Sequence, residues 1–397
     1  MSAIAVARGA VGVTRSRRIR TVGVEEELLL VDAASLLPTP AADAVMRRQA
    51  EAEKEGGSIM AWEAKLEQIE VVGPPLRTLA QLRSSIVSGR RAADAAARAV
   101  GARAVPLATA PAVCDTHTVA DERYDAMRKR FGRTMREQLT CGFHVHVGVD
   151  SREEGVAVLD RIRPWLPVLL ALSANSPFYQ GEDSGFASYR YQAYSRWPTS
   201  GPYDVFGSAD AYAEHLARML DTGVLLDPGM VYFDARLSHH LPTVEIRIAD
   251  VCLRAEDAAA LAVMVRALVN VAADAAAAAR PVDATPTTLL QLASWRASRF
   301  GLDDHLVHPH SGSLQTAADV VRAFRSHIHD GFADDEERAA VDSALAAILA
   351  RGTGARTQRE AVAGTGDLRD AVAVALTTHE ERTSSSPAPG TSTSSRS

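Results

Sequence analysis

Lysine is almost missing from this chain: Lys54, Lys65 and Lys129 are the only three among its 43 lysines and arginines. The formal net charge is −6, so there is no excess of positive charge to neutralise a phosphate backbone, which excludes a general nucleic-acid binder. An anionic substrate would need local arginines or metal ions to hold it. Cysteine is equally scarce. Cys114, Cys141 and Cys252 are odd in number, widely spaced and form no CxxC pair. That excludes a disulfide scaffold and fits a reducing, cytoplasmic setting. No GxxxxGK[ST] loop and no GxGxxG after a strand is present, so the usual phosphate and dinucleotide cradles are absent. A long uncharged apolar run is also lacking. The nearest, LAVMVRALVNVAADAAAAA over 261–279, is interrupted by Arg266 and Asp274 and is alanine-rich in its second half. It reads as a closely packed internal helix, and no membrane partner is expected. The opening MSAIAVARGAVGVTRSRRIR is basic without a continuous apolar core, which argues against a secretory signal and for a flexible basic leader over 1–19.

What the chain does have is a 47% hydrophobic content over 397 residues, ample for one large core or two. No linker or repeat divides residues 20–380, and the Ser/Thr/Pro-rich 381–397 reads as a disordered tail. Helical periodicity marks 76–101, 151–173 (bent or broken by Pro164 and Pro167), 208–221, 255–280, 285–300, 315–328, 335–351 and 356–380. Strand-like stretches lie at 21–31, 66–72, 103–109, 142–149, 229–236 and 242–249. The two do not alternate regularly, which predicts an α+β fold with an antiparallel sheet covered by helices on one face and an all-helical portion over about 285–380.

Four of the strands share an unusual face. Residues i and i+2 of a strand point to one side. In VGVEEELLLVD, Glu25 and Glu27 therefore share a side, while Glu26 falls with Val24 and Leu28. In QIEVV, Gln68 and Glu70 oppose Ile69 and Val71; in FHVHV, His144 and His146 oppose Phe143, Val145 and Val147; in TVEIRIAD, Glu245 and Arg247 oppose Val244, Ile246 and Ile248. One sheet, apolar behind and charged in front, accommodates all four. A lone Glu-x-Glu is usually a solvated face, two alternating histidines can sit on a half-exposed face, and an intra-face Glu-x-Arg pair contributes only ~0.2–1 kcal/mol. The joint pattern is more specific than any of its parts. Carboxylates gathered this closely repel and raise one another's pKa unless cations lie between them. Hard oxygen-liganded ions, Mg²⁺ or Mn²⁺, suit that composition, and they suit a polyphosphate. Arg190, after a polar turn-rich loop, and Arg236 in VYFDAR are the candidate arginines for phosphate. On the residues alone two other readings stay open: a Zn²⁺-dependent hydrolase built on His144, His146 and acids, and a catalytically silent nucleotide or amino-acid sensor.

In ordered blocks across most of 20–380, the chain resembles the glutamate–cysteine ligase family, specifically its bacterial type 2 carboxylate–amine ligase branch. The blocks are VGVEEELLLVD, QIEVVGPPLRTL, CGFHVHVGV, ANSPFYQGEDSGFASYR and FDARLSHHLPTVEIRIADV. The resemblance implies a glutamine-synthetase-like catalytic fold, a curved antiparallel sheet forming an ATP- and metal-lined funnel, with 20–380 as a single catalytic ligase domain. It also implies an activity: ATP hydrolysis coupled to amide formation between the side-chain carboxylate of glutamate and an amine such as cysteine. Carried over by motif, Glu25, Glu27, Glu63, Glu70, His146 and Glu245 match metal ligands. Arg247 matches a substrate- or phosphate-binding arginine, and Arg190 and Arg236 match arginines near the nucleotide. Glu26 and His144 receive no role. Folds of this kind often form homo-oligomers.

Overall fold

The computed structural model describes residues 19–52 and 59–384. The basic leader and the end of the polar tail lie outside these residues, although the last helix, Arg369–Ser384, reaches into the segment read as tail. The sheet is built from the alternating segments. Its strands are β1 (Val22–Asp32), β2 (Ile59–Trp62), β3 (Gln68–Val72), β4 (Ala102–Val105), β5 (Gly142–Gly148), β6 (Ala235–Leu237) and β7 (Thr243–Asp250). The order is β2-β3-β1-β5-β7-β6, and every pairing is antiparallel. β1 is long enough to serve several partners. β3 runs along one edge from Glu25 to Leu29, while β5 pairs with Val22–Glu26 on the other edge and β4 follows from Leu29 to Asp32. The α+β architecture expected from the patterns is the one observed, but the portion read as all-helical over about 285–380 also holds a two-stranded antiparallel hairpin, His305–Val307 with Leu314–Thr316.

Helices bury the back of this sheet. Ala255–Ala277 packs on β5 and β1, with Arg152–Ile162 beside it and Leu79–Arg98 across it. Val24, Val145, Val147, Val244 and Ile246 fill that layer. The alanines of Ala255–Ala277 let the neighbouring helices approach closely. Among the described residues this is the one helix long and apolar enough to cross a membrane, and 83% of its apolar window lies inside the fold. A second core sits beneath Leu28–Val31, closed by Ala42–Ala52 and by Leu79–Arg98.

Proline and glycine decide the departures from simple periodicity. The pattern over 151–173 divides into Arg152–Ile162, a 3₁₀ turn at Arg163–Trp165 and Leu166–Ser173, with Pro164 and Pro167 at the seams. The pattern over 356–380 divides at Gly364–Gly366 into Gly354–Ala363 and Arg369–Ser384. The 229–236 stretch is not a strand throughout: a 3₁₀ turn at Pro228–Met230 precedes β6.

Glu26 has a clear place in this packing. It lies on the back face, 2% exposed, where Arg90 from Leu79–Arg98 meets it through two parallel bonds, Nε–H to Oε2 at 2.9 Å and Nη2–H to Oε1 at 2.7 Å. The same guanidinium donates to the carbonyls of Cys252 at 2.6 Å and Leu253 at 3.1 Å. β1 is thus fastened to the chain just beyond β7, with β5 lying between the two strands.

Candidate functional site

The register converts alternation into a cluster. Glu27 lies opposite Glu70 across β1–β3, Glu25 opposite His144 across β1–β5, and His146 opposite Glu245 across β5–β7. Glu63, in the turn after β2, completes the row. Three groups of ligand atoms, each within 4.8 Å of one another, result: Glu25, His146 and Glu245; Glu25, Glu70 and His144; and Glu27, Glu63 and Glu70. All six residues matched to metal positions by resemblance are therefore on one face. His144 joins them, and the motif comparison had left it without a role. The histidines fall in different groups, with Nε2 of His146 3.2 Å and Nδ1 of His144 3.3 Å from the Glu25 carboxylate.

The electrostatics of the face are uneven. Burial, reinforced by Glu27, pushes Glu63 up to about 8, and burial with Glu63, Glu25 and Glu27 nearby pushes Glu70 well above the usual carboxylate range. Burial also opposes ionisation of Glu25, but hydrogen bonds and charge from His144 and His146 overcome it and hold Glu25 low. For Glu245, burial is outweighed by Arg247 and Arg236, which hold its carboxyl far below the usual range. Burial and the positive Arg247 depress His144, favouring a neutral imidazole that can act as a ligand. The donor set is carboxylate oxygen with two imidazoles, and its acids resist ionising together. Those residues fit hard divalent cations.

The arginines are arranged around these acids. Arg236 grips Glu245 through Nε–H to Oε2 at 2.7 Å and Nη2–H to Oε1 at 3.2 Å, and its Nη1 donates to the carbonyls of Gly229 and Val231. Arg247 donates through Nη1 to Glu245 Oε1, the oxygen it shares with Arg236 Nη2, and through Nη2 to the Tyr194 hydroxyl at 3.2 Å. A β-bulge lies here: between the Phe143–Ala249 and Val145–Ile246 pairs, β5 has one residue, His144, and β7 has two, Arg247 and Ile248, and it aims the Arg247 side chain. Arg190, 2% exposed, donates to the carbonyls of Ile248 and Arg247 at 3.3 Å each. Its Ser176 and Asp250 neighbours are buried too. A Cβ at Gly142 would intrude on the Arg190 guanidinium and lie 3.0 Å from His144 Nε2, so this strand position has room only for glycine.

The face opens into a cavity of about 710 Å³ lined by the clustered acids and histidines and by Arg190, Arg236 and Arg247. A roof comes from the helix Glu122–Phe131 and the segment around Pro228, joined by Arg123 and Asp227 through bonds of 2.6 and 3.2 Å. Tyr124, Tyr194 and Tyr232 add polar-tipped rings. Sequence reasoning missed the roof. Met127 is the only fully buried residue of its helix, so no apolar stripe advertised it. Tyr194 carried a usable signal, lying four residues after Arg190 and hence on the same side of a helix. The cysteines take no part in the cluster. Burial holds the Cys141 and Cys252 thiols well above their ordinary pKa and raises Cys114 to about 11.

Comparison with known proteins places this geometry in a family context. The profile of glutamate–cysteine ligase family 2 (GCS2) matches residues 21–374. A Paenarthrobacter aurescens protein provisionally named glutamate–cysteine ligase 2-1 is 50% identical over 362 residues, covering 90% of this chain and 94% of its own. A Streptomyces coelicolor relative, provisionally named glutamate–cysteine ligase 2, is 45% identical over 359 residues, covering 90% and 98%. Among solved structures, the Francisella tularensis glutamate–cysteine ligase in complex with AMP superposes with a TM-score of 0.64 at 13% identity, over 92% of this chain and 89% of that one. A bifunctional glutathione synthetase from Pasteurella multocida gives 0.65 at 16% identity, over 91% of this chain and 52% of that one. At these identities the structural likeness establishes the shared fold, and it agrees with the glutamine-synthetase-like α+β architecture expected from the sequence.

Proposed function

Because the chain belongs to glutamate–cysteine ligase family 2, we propose that it is an ATP-dependent carboxylate–amine ligase. In this reading it joins the side-chain carboxylate of glutamate to an amine, with cysteine as the leading acceptor, and yields γ-glutamylcysteine, ADP and phosphate in the cytoplasm. The observation that supports it most is the set of three ligand groups linked through Glu25 and Glu70 on one sheet face.

Glu25, Glu27, Glu63, Glu70, His146 and Glu245, with His144, are the residues that would hold Mg²⁺ or Mn²⁺, ions that neutralise charge on a polyphosphate during transfer. The γ-phosphoryl group passes from ATP to the glutamate side-chain oxygen, giving ADP and an acyl phosphate. The neutral amine then attacks the acyl carbon, the C–O bond to phosphate breaks, and the amide remains. No Ser or Cys nucleophile enters. Arg247 is fixed by Glu245 and Tyr194 before any substrate arrives, so its charge faces the transferring group without a reorganisation cost. Arg190, braced on main-chain carbonyls, and Arg236, braced on Glu245, serve the nucleotide side. The roof helix restricts water, which would otherwise hydrolyse the acyl phosphate. The hydrolase alternative requires both histidines on one ion, whereas His144 and His146 fall in different groups.

The test is ADP release by the purified protein with Mg²⁺ and glutamate across a panel of amines that includes cysteine, with the amide identified by mass spectrometry. Amine-dependent release is expected. ATP binding with no release for any acid and amine would point to the sensor reading. Glu27→Gln and Glu245→Gln should each abolish turnover with the fold retained by circular dichroism, and near-normal activity in either would refute the assignment of this face.

A further inference from the structure

Asp250, the last residue of β7, is fully buried and is not among the residues that line the cavity. Three donors converge on its carboxylate. The main-chain N–H of Asn175 and the Ser176 hydroxyl reach Oδ2 at 2.8 and 2.7 Å, and the Ser188 hydroxyl reaches Oδ1 at 2.8 Å. Each hydroxyl passes the contact on. Ser176 Oγ accepts from the main-chain N–H of Arg190 at 3.0 Å, and Ser188 Oγ caps the helix Tyr189–Tyr194 by accepting from Tyr191 N–H at 3.4 Å. One carboxylate thus ties the end of β7 to both ends of the turn-rich loop that precedes Arg190.

The guanidinium of Arg190 is held less firmly than its main chain. Nη1 and Nη2 make 3.3 Å bonds to the carbonyls of Ile248 and Arg247, and the buried Nε–H meets no acceptor. Among the described residues, Asp250 is the one carboxylate paired with it, with Nη1 3.9 Å from Oδ1. That separation is too long for a hydrogen bond, but charges this deeply buried are little screened. On the other side lies the acidic face: Gly142, against which the guanidinium packs, donates its N–H to Glu27. Two long bonds to neutral carbonyls are a weak restraint on a cation facing Glu25, Glu27, Glu63 and Glu70. A negative charge behind it is a stronger one.

Resting on the ligase reading, we propose that Asp250 is a positioning residue for Arg190. It fixes the Arg190 main chain through Ser176 and Ser188, and its charge keeps the guanidinium from collapsing onto the acids that are to hold cations. Burial pushes the Asp250 pKa up, and Arg190 with the three donors opposes that rise. The chemistry requires an acceptor-only group with two oxygens, each already used. Asparagine would keep the shape, lose the counter-charge and turn an amide N–H₂ toward a hydroxyl that donates. Arg190 also lies over the Tyr194 ring, 5.4 Å from its centroid, and Tyr194 receives Arg247, so a displaced Arg190 disturbs the neighbouring arginine as well.

The experiment is a double-variant cycle on the full chain, read in two ways. ADP release with Mg²⁺, glutamate and the most active amine of the panel gives kcat/KM for wild type, Asp250→Asn, Arg190→Gln and the pair. Asp250→Asn should lower kcat/KM by about tenfold or more, within the loss that a misplacement near 1 Å can cause. Once residue 190 is already glutamine, the same change should cost less than about twofold, because residues that act through one another are not additive. A merely structural role would lower both backgrounds by the same factor, and that result would overturn the assignment. The second reading is independent of activity. In a crystal structure of the Asp250→Asn protein, the guanidinium should leave the Ile248 and Arg247 carbonyls and turn toward Glu27; an unmoved guanidinium would overturn the assignment. If Asp250→Asn does not fold, Ser176→Ala replaces it in both arms, with the same coupling to Arg190 expected and additivity overturning the assignment. A wild type that releases no ADP with any acid and amine would refute the ligase reading, and the variant's structure would still decide what places Arg190.

Discussion

Removing both halves of the Glu26–Arg90 pair should cost far less than the sum of removing each alone. The two side chains are each 2% exposed and share two charge-assisted bonds. In Glu26→Leu the guanidinium keeps its main-chain partners, the carbonyls of Cys252 and Leu253, but loses its counter-charge. In Arg90→Met the carboxylate is stranded among apolar neighbours and those two carbonyls lose a donor. Breaking a buried pair from one side costs about 3–5 kcal/mol, so an additive double variant would lose about 6–10 kcal/mol. Glu26→Leu/Arg90→Met instead removes both charges, leaving mainly the two carbonyls unsatisfied, at about 1–3 kcal/mol each. We therefore expect the double variant to be no less stable than the weaker single variant, with a coupling energy of about 3 kcal/mol or more. The assay is urea denaturation of the four proteins by fluorescence, with the midpoint compared at constant slope. A double variant at the sum of the singles would refute the reasoning. So would Glu26→Leu within about 0.5 kcal/mol of wild type, the range of an ordinary surface substitution.

Gly142→Ala should displace Arg190 and crowd His144, lowering turnover by about 100-fold, as misplacements near 1 Å can; an unchanged kcat would show that Arg190 has room to spare. Gly331→Ala drives a methyl group into the backbone of Ala267 in the central helix and should cost about 3 kcal/mol or more, read as a drop in Tm. His327 stacks on Trp165 at 4.3 Å, and burial, aided by His310, lowers its pKa from 6.5 to about 4. The unfolded chain then binds the proton first, so stability should fall as pH drops from 6.5 to about 4 and level off below. Discounted for a half-exposed ring, the loss is about 2 kcal/mol or less; His327→Gln should flatten that part of the pH–stability curve, and an unaltered curve would refute the assignment.

Much of the site was legible because strand alternation is a local property. Glu25 and Glu27 on one side, with Glu26 on the other, follow from period two whatever the strand pairs with. Register is not local: nothing in QIEVV or FHVHV states that Glu70 lies opposite Glu27 or that His144 lies opposite Glu25. The bulge that aims Arg247 is equally silent in TVEIRIAD, because it depends on the partner strand. Elements escaped notice where they carry little apolar periodicity, as in the roof helix with Met127 as its one fully buried residue. Glu26 was visible as an exception to the pattern, but its explanation required Arg90, 64 positions away in sequence.

Charge accounting explains the state of the acidic centre. Both arginines nearest the cluster, Arg236 and Arg247, are engaged by a single carboxylate, Glu245. Arg190 is committed to main-chain carbonyls, and the buried Lys65 turns to Thr116, Thr118 and the carbonyl of Arg136. Glu25, Glu27, Glu63 and Glu70 are left with two histidines between them, and the consequence is visible in Glu63 and Glu70, which are driven toward protonation. A protein-borne cation at this spot would relieve that strain permanently and close the face to any other charge. Leaving the acids uncompensated keeps the energetic incentive for cations, and for the anionic substrates they carry, at the place where phosphoryl transfer is proposed to occur.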